Sequence, residues 1–317
     1  MPARRTVAPR AVVLLGVLTL LWGTNWPLFS LAVREISVWT FRAVAVLIAG
    51  LALLAVARLR GQSLRLPQRH WGTVVVATLC YLVLWNVAST YAAVMIPSGQ
   101  AAVLGFTMPL WSALISWALL GERMSPRLLL ALALGAAAVG LLMWRGIDAY
   151  AQAPLGFALG LAAGIGWAVG ALILKRHPVD VPVLVLTGWQ MLLTAVPTGM
   201  GAWVLGDHHW FMPSWQSLAL IGYIALVPMG MGNAVWFTIA GMLPVNVAGL
   251  STILVPVVAM LSGAWLHGEP LGMVQWAAMA CCAAALALVM LIAPRAGPQP
   301  SLPPVGVKEP GSGPSSS

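Results

Sequence analysis

Charge is what this chain lacks. Asp, Glu, Lys and Arg make up 7% of its 317 residues, while 61% are hydrophobic. Soluble domains carry about one-quarter charged residues, so a water-soluble fold is excluded and lipid is the solvent for most of the surface. The seven acids are Glu35, Glu122, Asp148, Asp180, Asp207, Glu269 and Glu309, all near expected helix ends, loops or the tail. Coupling to protons or sodium usually employs a carboxylate inside the membrane, and the apolar runs offer none. Lys175 and Lys308 are equally peripheral. No Lys or Arg is expected in the core, which disfavours phosphorylated substrates.

Reactive groups are scarce as well. Cys80, Cys281 and Cys282 lie in apolar stretches, with no CxxC and no Cys/His cluster of metal spacing, so neither metal nor cofactor is expected. His208-His209 fits a solvated loop pair better than a metal site. An intramembrane enzyme would need an acid, base or nucleophile at depth, so catalysis is not expected. A non-transporting sensor stays as a lesser alternative. The net charge of +9 sits in short clusters between apolar runs, which suits loops at an anionic leaflet and not nucleic acid.

Apolar runs of spanning length occur near 11–33, 38–58, 71–92, 98–120, 127–145, 154–175, 182–205, 215–240, 245–266 and 271–293. Each is long enough for a helix across a core of about 30 Å. The expected fold is therefore all-α, a membrane protein of ten transmembrane helices. Residues 1–10 are read as a cytoplasmic N-terminus and 294–317, rich in Pro, Gly and Ser, as a disordered cytoplasmic tail. With both termini inside, 13 of the 16 Lys and Arg fall on the inner side, leaving Arg34, Arg42 and Arg145 outside, as the positive-inside bias requires.

The halves superpose at a shift of 147 residues. Met95-Ile-Pro97 falls on Met242-Leu-Pro244, Asn86 on Asn233, Pro109 on Pro256, and Gly121-Glu122 on Gly268-Glu269. Residues 11–145 and 154–293 thus read as two five-helix repeats. Five is odd, so the second copy is expected inverted, the plan of alternating-access carriers with a site where the repeats meet. Pro109 and Pro256 lie about 18 Å past Pro97 and Pro244, near mid-membrane. Each withholds an N–H from the carbonyl four residues earlier, that of Gly105 or Thr252. Kinks there are expected to face the interior or to improve packing.

Trp22-Gly23, Arg42 in Trp39-Thr-Phe-Arg42, Pro109, Gly121-Glu122-Arg123, Val255-Pro256 and Gly268-Glu269-Pro270 together resemble the ten-helix, EamA-type branch of the drug/metabolite transporter superfamily. The order and duplication of these features carry the resemblance, over about residues 11–293. It implies a basket of ten helices around a central cavity, with the fifth and tenth peripheral. The aromatic-rich interior is similar to bacterial aromatic amino-acid exporters of the YddG type.

The candidate substrate contacts are polar but uncharged. Trp22, Asn25 and Trp26 share one helical face. Tyr81, Trp85, Asn86 and Thr90 form a second; Gln100, Thr107 and Trp111 form a third. Trp167, Trp189, Gln190, Asn233, Trp236 and Thr252 are their counterparts in the other half. Amides and hydroxyls suit the two ends of a zwitterion, and indoles its side chain. Interfacial anchoring competes for the 16 Trp, and interhelical hydrogen bonding for the two Asn. Arg42, one turn into its helix, either snorkels to the headgroups or lines the outer vestibule. The expectation is export of small neutral or zwitterionic metabolites, amino acids foremost, downhill and without ion coupling. Proton-coupled drug or metabolite efflux is the alternative. The expected setting is a bacterial inner membrane, as a monomer or weak dimer, with lipid and small-molecule substrate the only partners.

Overall fold

The computed structural model describes residues 9–121, 125–145, 147–206, 212–242, 254–269 and 271–292. The expected N-terminal arm and C-terminal tail lie almost wholly outside them, as does Thr252. Every regular element among the described residues is helical: α1 Pro9–Ala32, α2 Val38–Leu59, α3 Gln68–Met95, then α4 in two pieces, Ser98–Gly105 and Met108–Leu120. After α5, Pro126–Arg145, a short helix Ile147–Gln152 fills what the sequence suggested was a plain loop. Next come α6 Pro154–Arg176 and α7 Val183–Leu205. Helix α8 runs through Trp215–Ile224, Ala225–Met231 and Gly232–Met242, followed by α9 Val255–His267 and α10 Met273–Ile292.

Seven of these helices are long and apolar enough to cross a membrane; α5, α9 and α10 contain shorter apolar helices. For α9 the difference from the expected 245–266 arises because its expected first nine residues lie outside the described ones.

Local structure recurs at the same 147-residue shift. Helix α3 widens into a π-helical turn at Leu79–Val83, and α8 does so at Ala225–Met231. A π turn misaligns the backbone ladder and leaves carbonyls short of donors. In both copies an asparagine amide donates to the carbonyl four residues back, Asn86 to Leu82 and Asn233 to Met229. Pro228 sits inside the second π turn, where its missing N–H is tolerated.

The mid-helix prolines end differently from the expected kinks. Helix α4 stops at Gly105 and restarts at Met108, with Thr107 as the cap and Pro109 in the first turn. Pro256 occupies the matching first turn of α9 after Leu254. A first-turn N–H has no intrahelical partner, so proline costs nothing there. Both helices close on a left-handed glycine, Gly121 at φ +64° and Gly268 at φ +67°, a geometry that a Cβ would strain.

The packing follows the duplication. Helix α2 lies along α7 and α5 along α10; α3 meets α6 as α8 meets α1, and α4 meets α6 as α9 meets α1. When every helix is exchanged for the one five places later, the first two pairings map onto themselves and the others onto each other. Glycines permit the closest approaches. A Cβ on Gly166 would lie 2.5 Å from the Cys80 carbonyl oxygen, and one on Gly170 would lie 2.5 Å from Tyr81 Cβ. Small residues of this kind let membrane helices pack backbone to backbone. Helices α5 and α10 form a separate core with Val103 of α4 and Met260 of α9, around Ala138, Ala278 and Cys282.

Candidate functional site

The broken and widened helices surround one central pocket of roughly 610 Å³, open mouth included. Helices α1 to α4 supply Trp22, Asn25, Trp26, Phe29, Arg42, Leu82, Trp85, Asn86, Phe106 and Met108. The other half supplies Trp167, Met191, Pro228, Met229 and Asn233. Both halves therefore contribute to its wall.

Aromatic rings form much of the wall. Trp85 packs edge-on against Trp167 with centroids 4.8 Å apart, and Trp26 meets Trp85 at 5.9 Å and 83°. Phe106 meets Trp85 at 5.8 Å. The Gly105 position matters here: a Cβ on it would lie 3.1 Å from Trp26 and 3.2 Å from Trp85. The break in α4 and the bare glycine thus let two indoles converge. The Gly105 carbonyl itself turns to α6, since a Cβ on Gly164 would lie 2.9 Å from its oxygen. That carbonyl faces protein, as a membrane core demands.

Seven of the candidates meet at the pocket: Trp22, Asn25, Trp26, Trp85, Asn86, Trp167 and Asn233. Trp22 is fixed by donating its indole N–H to the Pro228 carbonyl at 3.0 Å. Tyr81 and Gln190 stand behind the wall, where the Tyr81 hydroxyl donates to Gln190 Oε1 at 2.7 Å and the ring backs Trp167. Thr90 also sits one layer back, donating to the Asn86 carbonyl at 2.7 Å.

The remaining candidates lie elsewhere. Trp189 donates to the Leu64 carbonyl at 2.8 Å and packs on Trp71, so it anchors the connection after α2. Trp236 packs against Trp22 beside Leu15, Leu18 and Ile239. Thr107 lines a second cleft with Pro109 and Pro256, and Trp111 donates to its hydroxyl. Gln100 borders a third cleft beside Glu269. A helical stripe spans the whole membrane, whereas the pocket occupies only its middle.

Arg42 overturns the expectation of an interior free of cations. It is 2% exposed and lies on the pocket wall. Its guanidinium carbon stands 4.1 Å from the centroid of Phe29 and 4.8 Å from that of Phe41. Nε donates to the Thr90 hydroxyl, and Nη1 points at the Met229 sulfur at 4.0 Å. Aromatic faces and a neutral hydroxyl hold the charge inward. The sequence offered two signals for these missed positions. Phe29 continues the Trp22–Asn25–Trp26 stripe by i+3, and Met229 is Leu82 plus 147.

Among the described residues, no acid lines the pocket. Glu35 accepts the Ser214 hydroxyl at 2.6 Å and its N–H at 2.7 Å, which hold its carboxyl below the usual carboxylate range. Glu269 accepts from Ser98 Oγ at 2.7 Å and Ser98 N–H at 2.9 Å, tying the end of α9 to the start of α4. Both carboxylates stitch helix ends together.

The sequence profile of the EamA-like transporter family matches residues 10–144 and 154–291. The chain is 27% identical over 265 residues to the uncharacterized transporter YvbV of Bacillus subtilis, covering 83% of this chain and 85% of that one. It is 29% identical to the uncharacterized inner membrane transporter YedA of Escherichia coli, covering 87% and 89%. The "Probable amino-acid metabolite efflux pump" of Escherichia coli matches at 28% over 57% of this chain and 63% of its own. A protein of known crystal structure shares the fold with a TM-score of 0.68, covering 90% of this chain and 99% of its own at 24% identity.

Proposed function

Since the chain belongs to the EamA-like transporter family, we propose that it carries small neutral or zwitterionic metabolites, amino acids with aromatic members among them, by alternating access. The observation that carries this is the pocket shared by both halves, walled by indoles and amides. The relatives' names point to transport, and one of them to amino-acid metabolites, so a carrier is favoured over an enzyme. The inner membrane named for YedA is the setting proposed here.

The finer architecture belongs to the same reading. The paired π turns, paired left-handed caps and exchanged helix pairings support two five-helix repeats, the second inverted, giving ten spans. Positive-inside bias then puts both termini in the cytoplasm, and the direction of flux is outward. Such a carrier exchanges one packing of its repeats for the mirror packing.

Movement is proposed to be downhill. Among the described residues the pocket wall holds no carboxylate to carry a proton, and Glu35 is engaged by Ser214. The test is flux of labelled Trp, Phe, Tyr, Thr and Met in liposomes holding the pure protein, with and without a proton gradient. Saturable flux that changes less than twofold with the gradient is expected. Flux that follows the gradient would return the reading to proton-coupled efflux. No saturable flux of any substrate would end the transport reading.

A further inference from the structure

We propose that Arg42 is the pocket's carboxylate-binding residue, and that the substrate is a monocarboxylate with an apolar or aromatic body. The inference rests on the transport reading above and narrows it to a chemical class.

Among the described residues, Arg42 has no anionic partner in the pocket. Thr90 accepts from Nε, Met229 offers only a sulfur to Nη1, and Nη2 is buried without any partner. A guanidinium presents five donors in a planar fork that matches a carboxylate. A purely structural arginine would be expected to fill that fork with carbonyls or carboxylates, because an unmatched buried donor costs about 1–3 kcal/mol and more when charged. The residue therefore keeps its best hydrogen-bonding edge unspent, on the wall of the central pocket.

The pocket supplies the rest of such a ligand's needs. Trp26, Trp85 and Trp167 offer apolar faces for its body. Asn25 also lines the pocket and its Oδ1 is buried without a partner. It is an acceptor suited to an ammonium group. The two unspent groups are of opposite kind, a cationic donor and a neutral acceptor, so the carboxylate end is bound more strongly than the amine end. A phosphate dianion would leave one charge unmatched by a single guanidinium, which favours the carboxylate.

Binding of four matched compounds to the purified full-length protein tests this, read by quenching of its tryptophan fluorescence: L-phenylalanine, L-phenylalaninamide, phenethylamine and 3-phenylpropionate. The two carboxylates are expected to bind at least tenfold more tightly than the amide and the amine. Loss of the ammonium should cost less than loss of the carboxylate. In Arg42→Gln the preference should shrink to within twofold, and Arg42→Lys should retain part of it. Equal binding of acid, amide and amine to the unaltered protein overturns the inference while leaving the transport reading intact. So does an undiminished preference in a folded Arg42→Gln protein. Binding of none of the four, with no flux in the liposome assay, removes both readings.

Discussion

Glu269 offers the clearest handle on how the pocket is closed. Its carboxylate accepts three donors at the start of α4: Ser98 N–H at 2.9 Å, Ser98 Oγ at 2.7 Å and, more loosely, Gly99 N–H at 3.4 Å. It also lies at the positive end of the α4 dipole. Glu269→Gln keeps the side chain's shape but removes the charge and turns one acceptor into a donor facing donors. Hydrogen bonds to charged groups contribute about 1.5–3 kcal/mol, and this site is only part-buried, so about 2 kcal/mol is the reasonable loss. At 1.4 kcal/mol per tenfold, that is roughly a 30-fold shift away from the state in which α9 and α4 are tied. A single cysteine at Leu82, on the pocket wall, in a protein lacking Cys80, Cys281 and Cys282, reports access. A membrane-impermeant maleimide added from the side holding Glu269 should label it at least tenfold faster in Glu269→Gln. A change below twofold, in a protein that remains folded, refutes the idea that this contact holds the pocket shut.

Three further outcomes follow from the packing and the pocket wall. Gly170→Leu places a Cβ 2.5 Å from Tyr81 Cβ and 2.9 Å from the Ala77 carbonyl oxygen. Overpacking should cost about 1–3 kcal/mol, read as a lower melting temperature in detergent; an unchanged melting temperature would contradict the tight α3–α6 contact. Asn233→Ala strips the amide that caps the Met229 carbonyl in the second π turn and should cost about 1–3 kcal/mol, with Asn86→Ala behaving alike. If only one of the pair destabilises the protein, the two π turns are not equivalent. Trp85→Ala removes the ring that touches Trp26, Phe106 and Trp167 and should weaken binding of an aromatic substrate about tenfold without blocking membrane insertion, whereas Trp189→Ala should leave binding within twofold.

The contrast between Trp85 and Trp189 shows why pattern alone could not draw the site. Both are tryptophans within apolar runs, and both are candidate contacts by sequence. Only the docking of α7 against α2 turns Trp189 to the Leu64 carbonyl. Trp85 is brought onto the pocket by the break in α4 at Gly105, where no Cβ holds the ring away.

Composition and periodicity determined the solvent of this protein, its helical class and the 147-residue duplication, because length, hydropathy and the placement of Gly and Pro are local properties. That duplication matched Asn86 to Asn233 and Gly121 to Gly268, and the structure gives each pair one local geometry, although the asparagines bond within their own helices and not between helices as expected. The role of Arg42 was decided by tertiary structure. A lone arginine one turn into an apolar helix reads equally as a headgroup anchor or a core charge. Only the arrival of Phe29, Thr90 and Met229 from three other helices gives its charge a reason to stay inside.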